Sequence, residues 1–234
     1  MSTLKEIRDQ VISDLDLEEE VWVSDSEIDR WINDAIKVAE SQIHTLYEDY
    51  FLVESDPVPI SRGDYLIDYP SDIYANKIRK VIFSDGTGTN TASHDVKRVK
   101  NLLAGKTADL YSADTTTPIL QWTPSNKLGE GRKIRLFPNT GRDGFLYMWY
   151  IRNASKLVND TDICEVDEFE HYIVQYVKTR VYLKDGDPRA DDSKTLEEGF
   201  KNDMITTLSD MAPDGDNELD MDTSHYSDSV GGDY

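Results

Sequence analysis

Residues 24–52 read SDSEIDRWINDAIKVAESQIHTLYEDYFL, and their spacing decides the fold class. Ser24 with Glu27 three residues on is a capping box. The Ser24 hydroxyl can take a backbone donor of the first turn, and Glu27 can reach back to the cap. Asp25 adds negative charge where the helix dipole favours it. Ile28, Trp31, Ile32, Ala35, Ile36, Ala39, Ile43, Leu46 and Tyr47 then recur in steps of three and four, which draws one apolar stripe along a helix. Asp29, Arg30, Asn33, Asp34, Lys37, Glu40 and Ser41 fall on the other face, so that face is expected to meet water or a polar partner. A helix over this whole stretch would be about 40 Å long. It cannot bury its stripe alone, so the remaining chain must supply packing partners.

Upstream, Leu4, Ile7, Val11, Ile12 and Leu15 predict a first helix over 3–15, capped by Ser2 or Thr3. An acidic link follows, and Trp22 is placed to pack as a staple near Ile28. Downstream, Pro57, Pro59 and Gly63 end the helical pattern. Arg62-Gly63-Asp64 reads as a hairpin turn, and Tyr65–Ile67 and 77–83 read as strands, the second running into the turn signal 84–88. The stretch 95–103 predicts a short helix. Strands are expected at 118–123, 133–137 and 145–151. FLYMWYI (145–151) is apolar on both faces, as suits a central strand or one covered by a neighbouring subunit. Four or five antiparallel strands are therefore expected between 56 and 156, as a small sandwich or barrel.

Helical periodicity returns at Val166, Phe169, Tyr172, Ile173, Tyr176, Val177 and Val181, and Gly186 stops it. A last helix starts at Asp187-Pro188, with Leu196, Phe200, Met204, Ile205 and Leu208 as its apolar side. The expected fold class is α+β. N- and C-terminal helices build a helical bundle, with an inserted antiparallel β-rich domain and an extended acidic C-terminal arm. The segments are 1–55, a helical hairpin; 56–156, the β-rich insertion; 157–212, the helices completing the bundle; and 213–234, the arm. That arm holds seven acidic residues and no Lys or Arg. Free in solution such a composition does not bury enough apolar surface to order itself. Met221, Tyr226, Val230 and Tyr234 are the apolar anchors it offers to a partner.

The 234 residues hold 46 Asp+Glu against 25 Lys+Arg, a net charge of -21. Gripping nucleic acid through its phosphates needs clustered cations, so the charge argues against that class. It suits solubility, or a surface past which nucleic acid slides. One cysteine, Cys164, excludes an internal disulfide, and no Cys/His cluster has zinc spacing. No apolar run approaches the roughly 20 residues of a membrane span, and MSTLKEIRDQ has no signal character. A soluble protein made in the cytoplasm is expected, with no membrane partner. The acids at 214, 216, 218, 220 and 222 alternate, but an EF-hand loop counted from Asp214 would place Leu219 where it needs Gly and His225 where it needs Glu. Gly86-Thr87-Gly88 lacks the third glycine of a nucleotide loop. His44, His94, His171 and His225 lie in unrelated segments. Nothing argues for catalysis, a cofactor or a metal.

Three runs carry a family resemblance. LKEIRDQVISDL (4–15) leads to VWVSDSEIDRWINDAIKVAE (21–40). YLIDYPSDIYANKIRKVIF (65–83) is a strand, a Tyr-Pro turn and a second strand. FLYMWYIRNASKLVNDTDICEVDEFEHYIVQYVKTRVYLKDGDPRA (145–190) is a strand, an acidic link and a helix ending in Lys-Asp-Gly-Asp. In this order they resemble the head-to-tail adaptor proteins of tailed bacteriophages, particularly the tail-tubular-A-like adaptors of short-tailed phages. The segment 84–130 and the arm fall outside the match. The resemblance implies a virion structural protein at the head-tail junction. It implies a homo-oligomeric ring, usually of twelve copies, seated under the portal protein. Its helical part docks on the portal, its strand-rich part meets the tail or nozzle protein, and genome DNA passes through the channel without specific binding. The rival expectations are another virion stopper or completion protein, and a metal-assisted hydrolase using scattered acids.

Overall fold

A computed structural model describes residues 1–17, 22–85, 93–98, 121–127, 131–137 and 143–212. Its class is mixed α and β. Thr3 caps α1 (Leu4–Asp14) through a complete capping box: its hydroxyl accepts from Glu6 N, and Glu6 accepts from Thr3 N at 2.8 Å. Helix α2 spans Asp25–Leu46, and Glu27 accepts from the Ser24 backbone N–H at 3.2 Å. The expected helix to Leu52 is thus cut short. Tyr47 leaves helical geometry at φ -145 and ψ 72, and a 3-10 turn, Glu48–Phe51, follows. The break drives Phe51 into the core, where it is 1% exposed. Helix α3 (Glu170–Asp185) ends at Gly186 in the left-handed region, φ 73, as a C-terminal glycine does. Helix α4 is Ala190–Met211.

The four helices pack against one another around one apolar cluster. Leu4, Ile7 and Val11 of α1 meet Ile28, Ile32, Ala35, Ala39 and Ile43 of α2, with Ile173, Val177 and Val181 of α3 and Met204 and Leu208 of α4. Trp22 is half-buried against the same cluster. Leu196 departs from expectation: it is 56% exposed, and the buried side of α4 is Ser193, Met204 and Leu208.

Nine strands lie among the described residues, more than the four or five expected: β1 (Leu52–Glu54), β2 (Val58–Ile60), β3 (Leu66–Asp68), β4 (Ile73–Ser84), β5 (Ser93–Asp95), β6 (Lys97–Arg98), β7 (Gln121–Lys127), β8 (Gly131–Phe137) and β9 (Gly144–Arg152). They make two sheets. One runs β1-β9-β4-β5, with β2 also on β9, and the other runs β3-β8-β7-β6. All pairs are antiparallel except β6 with β7. Strand β9 is central, flanked by β1 and β2 on one side and β4 on the other. The helix expected over 95–103 is contradicted where it is described, because 93–95 and 97–98 are strands and 99–103 lie outside the described residues. The Arg62-Gly63-Asp64 turn is not a hairpin. Strand β2 pairs with β9 and β3 with β8, so the turn carries the chain from one sheet to the other. Gly63, at φ 95, permits the bend. A second apolar cluster joins the sheets through Ile78, Val81 and Phe83 of β4, Leu146 and Met148 of β9, Ile134 and Leu136 of β8, and Trp122 of β7.

Candidate functional site

Two features join the helices to the sheets. The first is a bulge in β4. Ile73 pairs with Arg152 and Ile78 with Tyr150, so five residues of β4 advance against two of β9. Ala75 (φ 46) and Asn76 (φ 57) supply the bend, in a region that non-glycine residues rarely adopt. The bulge aims three side chains at three neighbours. Tyr74 stacks on His44 of α2, with ring centroids 3.6 Å apart and planes 7° from parallel. Lys77 pairs with Glu48 of the 3-10 turn. Asn76 Oδ1 lies 3.5 Å from Arg132 Nη1 of β8. His44 is buried, and neither ring nitrogen has a hydrogen-bond partner. Burial pushes its pKa down, against the pull of Glu40, whose carboxylate lies 3.5 Å away. Burial works against the charge of Glu48 as well, but Lys77 and Arg79 more than offset it, so its pKa falls.

The second feature is the connector 153–169. Asn33 pairs with the Leu157 backbone in both directions, and Glu40 accepts from Ala154 N at 2.8 Å. Arg152 donates to Glu165 at 2.7 Å. The Asp162 carboxylate accepts from Val158 N and Asn159 N at 2.7 and 2.8 Å, and these bonds hold its pKa low. Arg8, its side chain only 11% exposed, pairs with Asp29, Asp25 and Asp160. The polar face of α2 therefore does meet a polar partner, and it is this connector. Asn33, expected to meet water or a polar partner, meets the Leu157 backbone and is 7% exposed.

The expected chemistry-bearing residues do not converge. His44 is in α2, His94 in β5 and His171 in α3, where it stacks on Phe200 at 6.0 Å. Burial raises the Cys164 thiol pKa to about 11, so it is no nucleophile at neutral pH. Among the described residues no group of three or more His, Cys, Asp or Glu side chains is arranged to hold a metal ion. A cleft of about 670 Å³ between β2 and β3 is lined by Glu54, Asp56, Asp64, Asp68 and Asp72. Asp72 there accepts from the Tyr150 hydroxyl at 2.9 Å, and burial first, then this bond, pushes that phenol up to about 12. Met221, Tyr226, Val230, Tyr234 and the alternating acids at 214–222 lie outside the described residues.

Two surface features remain. On β9, Leu146, Met148 and Tyr150 enter the sheet core, while Phe145, Tyr147 and Trp149 are half-buried and belong to neither apolar cluster. Charge is also divided unevenly. Residues 56–156 hold 15 Lys+Arg and 10 Asp+Glu, net +5, and the remaining residues hold 10 and 36, net -26. The Arg132-Lys133-Ile134-Arg135 run was the sequence signal for that division.

Packed helices and two sheets with extensive surface charge make up the described scaffold. Residues 2–224 match the SU10 adaptor protein family, and the chain belongs to it. Its role is thus structural, as a phage head-tail adaptor and a virion component. No curated protein matches the chain. No helix among the described residues is long and apolar enough to cross a membrane.

Proposed function

We propose that the protein assembles as a ring, of twelve copies, between portal and tail in a virion of the short-tailed type, with genome DNA passing through its channel. In this reading the helical segments 1–55 and 157–212 face the portal, and the β-rich segment 56–156 meets the tail or nozzle protein. The arm 213–234 anchors to the portal through Met221, Tyr226, Val230 and Tyr234. The observation that carries the ring is the row Phe145, Tyr147 and Trp149. These aromatics stand on the most central strand of the five-stranded sheet yet pack into neither core, and a neighbouring copy would cover them. The net charge of -21 supports a passage that repels DNA phosphates.

Native mass spectrometry of the full chain with the portal from the same genome tests this reading. Twelve copies joining the portal support it. A chain that stays monomeric and never associates removes it. The arm is tested in the same assay: replacing Met221, Tyr226, Val230 and Tyr234 by Ser is expected to weaken association with the portal, and unchanged association removes the arm's role.

A further inference from the structure

The two sheets pack face to face, so each keeps one outer face, and strand register fixes what stands on it. On β9, Leu146, Met148 and Tyr150 point into the sheet core, which leaves Phe145, Tyr147 and Trp149 on the outer side of the five-stranded sheet. Cross-strand neighbours widen the row. Pro59 of β2, which is exposed, stands opposite Phe145, and Ile82 of β4 stands opposite Tyr147. Glu54 of β1 and Lys80 of β4 flank Trp149, and Asp95 of β5 holds Lys80 at 3.4 Å. The face is therefore apolar along its middle, with two acids and one cation at its margin. Ile151, the next outward residue of β9, packs into the helical cluster, so the helices stand over one end of this face and leave the row beyond them.

The four-stranded sheet has the opposite character. Ile134 and Leu136 of β8 enter the core, so Lys133 and Arg135 stand on the outer side. Lys97 of β6 pairs with Gln121, on the outer side of β7, because Trp122 points inward. One described acid shares this face, Asp68 of β3, and it binds Lys133 at 2.9 Å. Arg135 is exposed, and its guanidinium lies 4.9 Å from the Phe137 ring and 5.8 Å from the Tyr65 ring. A guanidinium held on rings is weakly hydrated and has little freedom left to lose, so a further aromatic surface can be added to it cheaply.

We propose that the outer face of the four-stranded sheet of one copy covers the aromatic row of the next copy, with Arg135 set against Tyr147 and Trp149. This rests on the ring reading and deepens it, since it names the surface that covers the row. The two surfaces differ and lie on opposite sides of one sandwich. Their contact is therefore head-to-tail, the kind that repeats from copy to copy and closes when the rotation allows. Two rows set against each other would stop at a dimer, and two cationic faces would oppose like charges.

The test uses two full-length variants, Tyr147→Ser with Trp149→Ser, and Lys133→Glu with Arg135→Glu. Native mass spectrometry counts their copies on the portal of the same genome, beside the parent chain. Each variant alone is expected to need about tenfold more protein than the parent to fill the portal, the scale of one desolvated cation–π contact. Mixed in equal amounts, with one of them isotope-labelled, they are expected to load as mixed pairs, because each supplies the face that the other lacks. Filling by both variants at the parent's concentration overturns the proposal. So does pairing of the Lys133→Glu, Arg135→Glu chain with itself, which would mean that rows meet rows. Arg135→Glu alone, at an exposed position, carries the test if a thermal melt shows that a paired variant has lost its fold. A parent chain that never gathers on the portal removes the ring reading and this contact together, whereas a parent that fills it no better than the variants removes the contact alone.

Discussion

The Asn33 side-chain amide pairs with the Leu157 backbone as a second strand would: its Nδ2 donates to Leu157 O at 3.0 Å, and its Oδ1 accepts from Leu157 N at 2.9 Å. The two residues are 124 positions apart, and the pair is buried. It fixes the connector on α2, and with it the angle at which the chain leaves β9 and enters α3. Asn33→Leu keeps the volume but strands both backbone groups. Each unsatisfied buried group costs roughly 1–3 kcal/mol, so a loss of about 3 kcal/mol is expected. For a chain of this length that lowers Tm by about 6–12 °C. A melt within about 2 °C of the parent would show the pair to be dispensable.

His44 makes stability depend on pH. Its pKa is lowered in the folded state, chiefly by burial, with Lys77 of β4 lowering it further and Glu40 of α2 and Glu48 of the 3-10 turn opposing. A depressed folded value means that its contribution is present above the ordinary value of 6.5 and is lost as pH falls below it. Glu48 and Glu165 are also depressed, so their contributions fade only at lower pH, below 4.5. Tm is therefore expected to fall in two stages on acidification. His44→Phe keeps the stack on Tyr74 and should abolish the first stage alone. A first stage that survives the substitution assigns it to another group.

Gly144 opens β9 against β4. A Cβ there would lie 2.4 Å from Ser84 O and 2.6 Å from the Phe83 ring, closer than such atoms approach. Gly144→Ala is expected to cost about 3 kcal/mol through backbone displacement. Gly186→Ala meets nothing within 4 Å and pays only for its φ of 73, roughly 1–2 kcal/mol. Urea unfolding of both variants checks the order, and a larger loss at Gly186 would reverse the account.

Between α3 and α4, Ser193 Oγ bonds to Gln175 Nε2 at 2.8 Å and to Thr179 Oγ1 at 3.0 Å, all three residues being buried. Ser193→Ala should cost about 1–2 kcal/mol, because its neighbours lose a shared partner. Adding Thr179→Val removes a hydroxyl that Ser193→Ala leaves under-satisfied, so the double variant is expected to cost less than the two singles summed. Additive losses in a double-mutant cycle would show that the three groups act separately.

The sequence by itself located α1 to α4 and most of their caps, although its helix over 95–103 is contradicted, and it offered 145–151 as a central strand or one covered by a neighbouring subunit. Ser24, Glu27 and Gly186 act on atoms within four residues, and 145–151 is too apolar for any sheet edge. Such signals are legible because both partners of each contact are close along the chain. Only the tertiary structure decided where α2 stops, that β6 runs parallel to β7, that Arg62-Gly63-Asp64 joins two sheets, and that Asn33 is buried. In each case the deciding partner is remote: Phe51 sinks into a core built from all four helices, and Asn33 finds Leu157. The charge division between 56–156 and the rest is written in the composition. The approach of Arg132 on β8 to Asn76 in the β4 bulge exists only once the two sheets pack together. Periodicity reports which face is apolar, but a polar residue's fate depends on whether a distant backbone arrives to satisfy it.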